Sequence, residues 1–244
     1  MVATRIQAFD ESRWGDLTRA AIVRYFSAEL RDAARLPRDG GALLVGNHAM
    51  WGYDGVVLGT LVRDATRRYV RFLGDRNLWR MPVVGPTLTA FGALAGEPGA
   101  AERLLREGYL VGVYPGGVRD AFKVTPGERY VLKWGQRAGF AKVAMRAGVP
   151  IVPVAGLGID EAYTVLGRER WIGRRLFGSE SYDIPVWWGA YGSPLPRRVK
   201  LTFELLDPID TRGDVGDPAA VEAVRHATEA ALSARLTQFR IAGR

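Results

Sequence analysis

Apolar residues follow two rhythms along this chain. Short continuous runs occur at 42–47 (ALLVGN), 68–74 (RYVRFLG), 109–117 (YLVGVYPGG) and 150–158 (PIVPVAGLG). Runs of this length predict strands covered on both faces. The stretches near 55–66, 99–107 and 132–147 read as helices between them. Strands alternating with helices predict an α/β fold, with a mostly parallel central sheet flanked by helices. Segment 197–209 (RRVKLTFELLDPI) alternates better and is expected at the sheet edge or antiparallel. Two longer stretches have helical period. In 12–35, Ser12 is the N-cap and Trp14, Leu17, Ala21, Tyr25 or Phe26, and Leu30 share one side, with Arg19, Arg24, Arg31 and Arg35 between them. That helix either packs on the core or lies in lipid headgroups as an interfacial helix. In 217–239, Asp217 caps, Pro218 opens the first turn, and Val221, Val224, Leu232, Leu236 and Phe239 face inward. No repeat, low-complexity tract or linker divides the chain. One domain over 1–244 is expected: an N-terminal helical segment (1–38), a core (40–210) and a C-terminal helix (217–240).

Composition narrows the chemistry. Of 244 residues, 48% are hydrophobic and 25% charged, as in folded globular proteins. Cysteine is absent, which excludes disulfides, thiolate nucleophiles and iron–sulfur clusters. The net charge is +8, supplied almost wholly by arginine, since lysine stands only at 123, 133, 142 and 200. Such an excess points to an anionic partner: nucleic acid, anionic lipid or a phosphorylated substrate. The N-terminus lacks the apolar stretch of a signal peptide. The longest apolar segments, 81–96 and 147–159, are broken by Pro and Gly and fall short of the ~18 residues a span needs. The chain is expected to lie on a membrane and not to cross it.

Ligands of open α/β sheets bind at the carboxyl ends of strands. Two unusual stretches sit there. The first is NHAMWGYD (47–54), holding one of only two histidines. On a straight helix His48 and Asp54 would lie about 240° apart, so pairing requires a turn, which Gly52 permits. An aspartate accepting the Nδ1 proton would leave Nε2 as a general base. The alternative is a capping histidine and a helix N-cap aspartate. No serine sits in a G-x-S-x-G elbow, and no spaced ligand cluster such as H-E-x-x-H is present, so neither a covalent intermediate nor a metal has a good candidate. The other option for such a base is direct: it takes a proton from an acceptor hydroxyl, whose oxygen attacks an acyl carbonyl. His226 lies mid-helix beside Arg225 and reads as filler. The second stretch is YPGGVRD (114–120). Gly116 and Gly117 let the backbone approach a ligand, and Arg119 can bind a phosphate or carboxylate; a plain turn with a solvated arginine explains it equally.

Together, Asn47-His48-x5-Asp54, Tyr114-Pro115-Gly116-Gly117-x-Arg119 and the Val-Pro-Ile-Val-Pro-Val strand at 149–154 resemble the glycerolipid acyltransferase superfamily. Its usual signatures are N-H-x4-D, F-P-E-G-x-R and a V-P-I-x-P-V-like strand, in that order. The five-residue spacer, the P-G-G-x-R form and segment 77–96 look like the branch containing monoacylglycerol and diacylglycerol acyltransferases. The resemblance covers about 40–210. It implies that His48 is the base and Asp54 its orienting partner. It implies that the motif residues Asn47, Tyr114, Pro115, Gly116, Gly117 and Arg119 bind substrate. The donor would be a fatty acyl thioester on CoA or acyl carrier protein, used as co-substrate with no bound cofactor. The acceptor would be a lipid hydroxyl. Gly116 stands where the usual motif has glutamate. That departure favours a neutral or differently built acceptor over lysophosphatidic acid, which remains the alternative beside a non-catalytic lipid-binding protein on the same fold.

The loop Asp75-Arg76-Asn77 follows a strand and is expected to line the same cleft. At 167–178 four arginines mix with Trp171, Ile172, Leu176 and Phe177; at 184–198 Trp187, Trp188 and Tyr191 precede Arg197 and Arg198. Aromatics beside arginines suit the headgroup region of an anionic bilayer, and equally a core or the cap of an acyl tunnel. No nucleic-acid-binding signature accompanies them, so nucleic acid is not an expected partner. The expected location is peripheral, on the cytoplasmic face of a membrane.

Overall fold

The computed structural model describes residues 13–74, 76–80, 82, 84–90, 92–96, 99–123, 125–169, 184–193 and 195–242. The strands of the central sheet are β1 (Glu29–Arg31), β2 (Ala42–Gly46), β3 (Val70–Gly74), β4 (Leu94–Ala95), β5 (Leu110–Val113), β6 (Ile151–Leu157) and β9 (Thr202–Leu205). Their order is β1-β9-β6-β2-β5-β3-β4. Every neighbouring pair is parallel except β6 with β9. A separate antiparallel hairpin joins β7 (Thr164–Glu169) and β8 (Ile184–Trp188).

The central strands are apolar throughout because the sheet is covered on both faces. Alternate residues of β2 enter opposite layers: Leu43 and Val45 join Leu105, Trp134, Leu232 and Leu236, while Ala42 and Leu44 join Val57, Leu58, Val152 and Phe203. Helices α4 (Ala100–Arg106), α6 (Gly139–Ala147) and α7 (Pro218–Ala242) cover the first layer. Helix α2 (Tyr53–Thr66) and Phe26, just beyond α1 (Arg13–Tyr25), cover the second. The Asp217 carboxylate accepts the Ala219 N–H and caps α7. Two shorter helices, α3 (Val84–Ala90) and α5 (Val118–Ala121), are the remaining α-helices among the described residues.

Several expectations need correction. The helix expected over 12–35 ends at Tyr25, because Ser27 adopts a left-handed conformation (φ 44°). Residues 29–31 instead form a strand, recruited by parallel pairing with β9. The face of α1 is also rotated: Leu17 is 61% exposed, whereas Arg19 is 6% exposed. Ser12 lies outside the described residues. The expected helix over 132–147 forms only from Gly139. Of the two readings for 197–209, the antiparallel one holds: a four-residue strand pairs antiparallel with β6 and is internal, since β1 lies outside it. Of the arginine-rich stretch 167–178, residues 170–178 lie outside the described ones.

Candidate active site

The ends of β2, β5 and β6 converge on one edge of the sheet. Beyond β2, Asn47 is buried with both amide atoms engaged: Nδ2 donates to the Gly156 carbonyl at 2.9 Å, and Oδ1 accepts the Gly156 N–H at 2.8 Å. Next, a short 3-10 turn carries two successive left-handed residues, Trp51 (φ 67°, ψ 4°) and Gly52 (φ 69°, ψ 13°). Glycine accepts this conformation freely; for tryptophan it is an outlier costing about 1–3 kcal/mol. The reversal returns the first turn of α2 to His48. His48 Nδ1 lies 3.0 Å from Asp54 Oδ2, which also accepts the Ala49 N–H at 3.2 Å. Asp54 is 0% exposed and His48 19%. The helix N-terminus favours the aspartate's charge. With Nδ1–H donated to Asp54, Nε2 keeps its lone pair for a substrate.

A ring stack holds the imidazole from the side. Tyr114, just past β5, stacks on His48 with centroids 4.1 Å apart and planes at 12°. Phe72 of β3 stacks on the far face of this group against Tyr114, at 5.7 Å and 11°. Phe72 fits because β5 has no side chain at Gly112, where a Cβ would come within 2.3 Å of its ring. Burial first, then the Asp54 charge, pushes the Tyr114 phenol well above its ordinary value, so it stays neutral.

The turn after Tyr114 is packed from below and clamped from outside. A Cβ at Gly116 would fall 2.3 Å from Asp120 Cβ, so the buried Asp120 side chain demands glycine there. Gly117 takes φ 52° and opens α5. Arg137 Nη1 donates to the Pro115 and Gly116 carbonyls, both at 2.8 Å. Arg119 is exposed on α5. Asp120 accepts the His48 N–H on Oδ2 and the Lys133 N–H on Oδ1, each at 3.2 Å. Beneath lies a buried ion pair, Lys123 Nζ to Asp160 Oδ2 at 3.0 Å. Burial alone would lower the Lys123 value; Asp160 and Asp120 more than offset it and hold the ammonium above its usual range. An open cleft beside this pair is lined by Met50, Ala121, Arg129, Ile159, Tyr163 and Val165 among others.

The structure thus brings His48, Asp54, Tyr114, Pro115, Gly116 and Gly117 to one place, with Arg119 at its rim. Asn47 is turned to β6, where it ties two strand ends. Arg76 is exposed on the 3-10 turn Arg76–Arg80. Asp75 and the Asn77 side chain lie outside the described ones. His226 is exposed on α7. Among the described residues no three His, Asp or Glu side chains group as a metal site. Sequence reasoning missed Phe72, Asp120 and Arg137. A mid-strand glycine at 112 was the one local signal for Phe72; Asp120 and Arg137 left none.

Comparison with known proteins places the chain in a family. A profile of the acyltransferase family matches residues 27–156. An uncharacterized protein of Mycobacterium tuberculosis is 32% identical over 213 residues, 83% of this chain and 58% of that protein. The human DGAT1/2-independent enzyme synthesizing storage lipids is 30% identical over 204 residues, 84% of this chain and 60% of that enzyme. The chain therefore spans less than two thirds of these relatives' length. The crystal structure of the 1-acyl-sn-glycerophosphate (LPA) acyltransferase PlsC from Thermotoga maritima shares the fold, with a TM-score of 0.54 and 16% identity, covering 94% of this chain and 86% of that one.

Proposed function

This chain belongs to the acyltransferase family, and from that premise we propose that it moves a fatty acyl group from an acyl thioester, on CoA or acyl carrier protein, to a lipid hydroxyl. His48 Nε2 takes the acceptor's proton as its oxygen attacks the thioester carbonyl. The tetrahedral intermediate then expels the thiolate, which takes the proton back from the imidazolium. Asp54 holds the tautomer and stabilises the imidazolium between these steps. The observation that carries this reading is the His48–Asp54 bond, its aspartate buried and its imidazole partly open. Arg119 faces solvent beside the turn and would hold an anionic part of a substrate. The storage-lipid enzymes among the relatives support a neutral acceptor. The exposed Arg119 favours the second reading, a phosphate-bearing lysophospholipid.

The reading includes peripheral attachment to an anionic membrane, on its cytoplasmic face. No described helix is long and apolar enough to cross a bilayer. Trp188 and Leu195 are exposed, Tyr191 fully so, with the cations of Arg198 and Lys200 nearby in the chain. Such aromatic and basic residues fit a headgroup layer.

The test is thiol release from acyl-CoAs and acyl carrier protein, with monoacylglycerol, diacylglycerol and lysophosphatidate as acceptors, beside His48→Ala. Acceptor-dependent release abolished by the substitution is expected. A folded protein that releases no thiol with any pair would instead be a lipid-binding protein on this fold.

A further inference from the structure

The His48 N–H does not join the sheet; it donates to the Asp120 carboxylate. The second oxygen of that carboxylate accepts the Lys133 N–H. Asp120 therefore connects three segments: the loop carrying His48, the Pro-Gly-Gly turn that leads into its own helix α5, and the segment before α6. Its place is built into the turn, because Gly116 leaves the space that Asp120 fills. Asp54 holds the imidazole by its ring nitrogen and Asp120 holds the same residue by its main chain. The adjacent N–H groups of His48 and Ala49 each donate to one of these two buried carboxylates.

We infer that Asp120 is a positioning residue for His48, fixing its main chain against the Pro-Gly-Gly turn and setting a second carboxylate behind it. This rests on His48 being the base of the proposed transfer. The groups facing Asp120 are His48 after β2, Lys123 just beyond its own helix α5, Asp160 after β6 and the Lys133 N–H. Burial, with a smaller contribution from Asp160, pushes its carboxyl above the ordinary value; Lys123, His48 and the Lys133 N–H act against that. Acceptance from two N–H donors, one at each oxygen, fits the ionised form. An asparagine cannot copy it. Its one oxygen accepts a single N–H in this geometry, and its amide NH2 is turned on the other donor. One anchor is lost, and with it the negative charge that favours imidazolium as the proton arrives.

A chain with two histidines makes the test direct. The ring NMR signals of His48 and His226 are followed against pH in the full chain and in Asp120→Asn, without substrate. His226, exposed on α7, is the internal control. Removing an anion destabilises imidazolium, so the His48 midpoint moves to lower pH by on the order of half to one pH unit while His226 stays. In thiol release, kcat falls about 10- to 100-fold through mispositioning, with KM for the donor little changed. Gly116→Ala is the second variant. It leaves every charge in place and drives a Cβ into Asp120, so the His48 signals shift and kcat falls with it. A folded Asp120→Asn protein whose His48 titrates as in the parent overturns the inference. So does Gly116→Ala with parental His48 signals and kcat, which also decides the matter should the asparagine variant not fold. Because the titration needs no turnover, a chain inactive with every donor and acceptor would sink the transferase reading without touching this result.

Discussion

Asp54→Asn is the sharpest perturbation of the pair. Asp54 is 0% exposed and lies against His48 Nδ1 at 3.0 Å and the Ala49 N–H at 3.2 Å. Asparagine has the same shape, but a single carboxylate oxygen, Oδ2, faces both donors. An amide NH2 placed there forces the ring to accept at Nδ1 and moves the proton to Nε2; an amide oxygen placed there keeps both bonds but carries no charge to stabilise the imidazolium. In either orientation the base is crippled without any loss of packing. In a serine protease triad the same exchange costs about 10⁴-fold in kcat. Here Tyr114 still stacks on the ring, so the expected loss is on the order of 10³-fold, about 4 kcal/mol in the barrier. The assay is steady-state thiol release with the best donor and acceptor, accompanied by the ring ¹⁵N spectrum, which reports the tautomer. Expected are unchanged folding and the large fall in kcat, the tautomer reporting which way the amide is turned. A folded variant with turnover within threefold of the parent would refute the mechanism.

Three further outcomes follow from other parts of the molecule. Lys123→Met leaves Asp160 buried without its cation, although the Tyr130 N–H still donates to it at 2.7 Å; the expected cost is about 3–5 kcal/mol in urea unfolding, and less than 1 kcal/mol would contradict the account. Glu29 is held down to about 2, first by hydrogen bonds from Lys200 and Thr202 and further by Arg31. A depressed carboxyl contributes stability that is present above its ordinary value of about 4.3 and is lost as pH falls through the folded value. Glu29→Gln should therefore flatten the decline of Tm between about pH 4.5 and 2; an unchanged slope on calorimetry would show that the carboxylate is uncoupled from folding. Tyr191→Ser with Leu195→Ser removes two exposed apolar groups and should weaken sedimentation with anionic vesicles while leaving Tm unchanged; undiminished binding would move the lipid contact elsewhere.

The strands at 42–46, 110–113 and 151–157 were legible because a strand buried on both faces must be apolar at every position, whatever its neighbours. Helix α7 was legible through its cap and stripe, which are local. The two motif stretches were legible too, since glycine, proline and lone polar residues at strand ends stand out without a structure. At other places the pattern misled. Apolar spacing in 12–35 suits a helix, but Ser27 turns left-handed and β9 offers Glu29–Arg31 a ladder of hydrogen bonds that no local period announces.

What only the tertiary structure decided is the surroundings of His48. That Phe72 lies behind Tyr114 follows from β3 pairing with β5, and the order of strands is not written in either segment. That Asp120 holds the His48 main chain depends on a contact across 72 positions. Residue types at strand ends, read from the sequence, determine which chemistry is available. Distances between loops from different strands determine which groups meet, and those distances are set by the packing of the whole sheet.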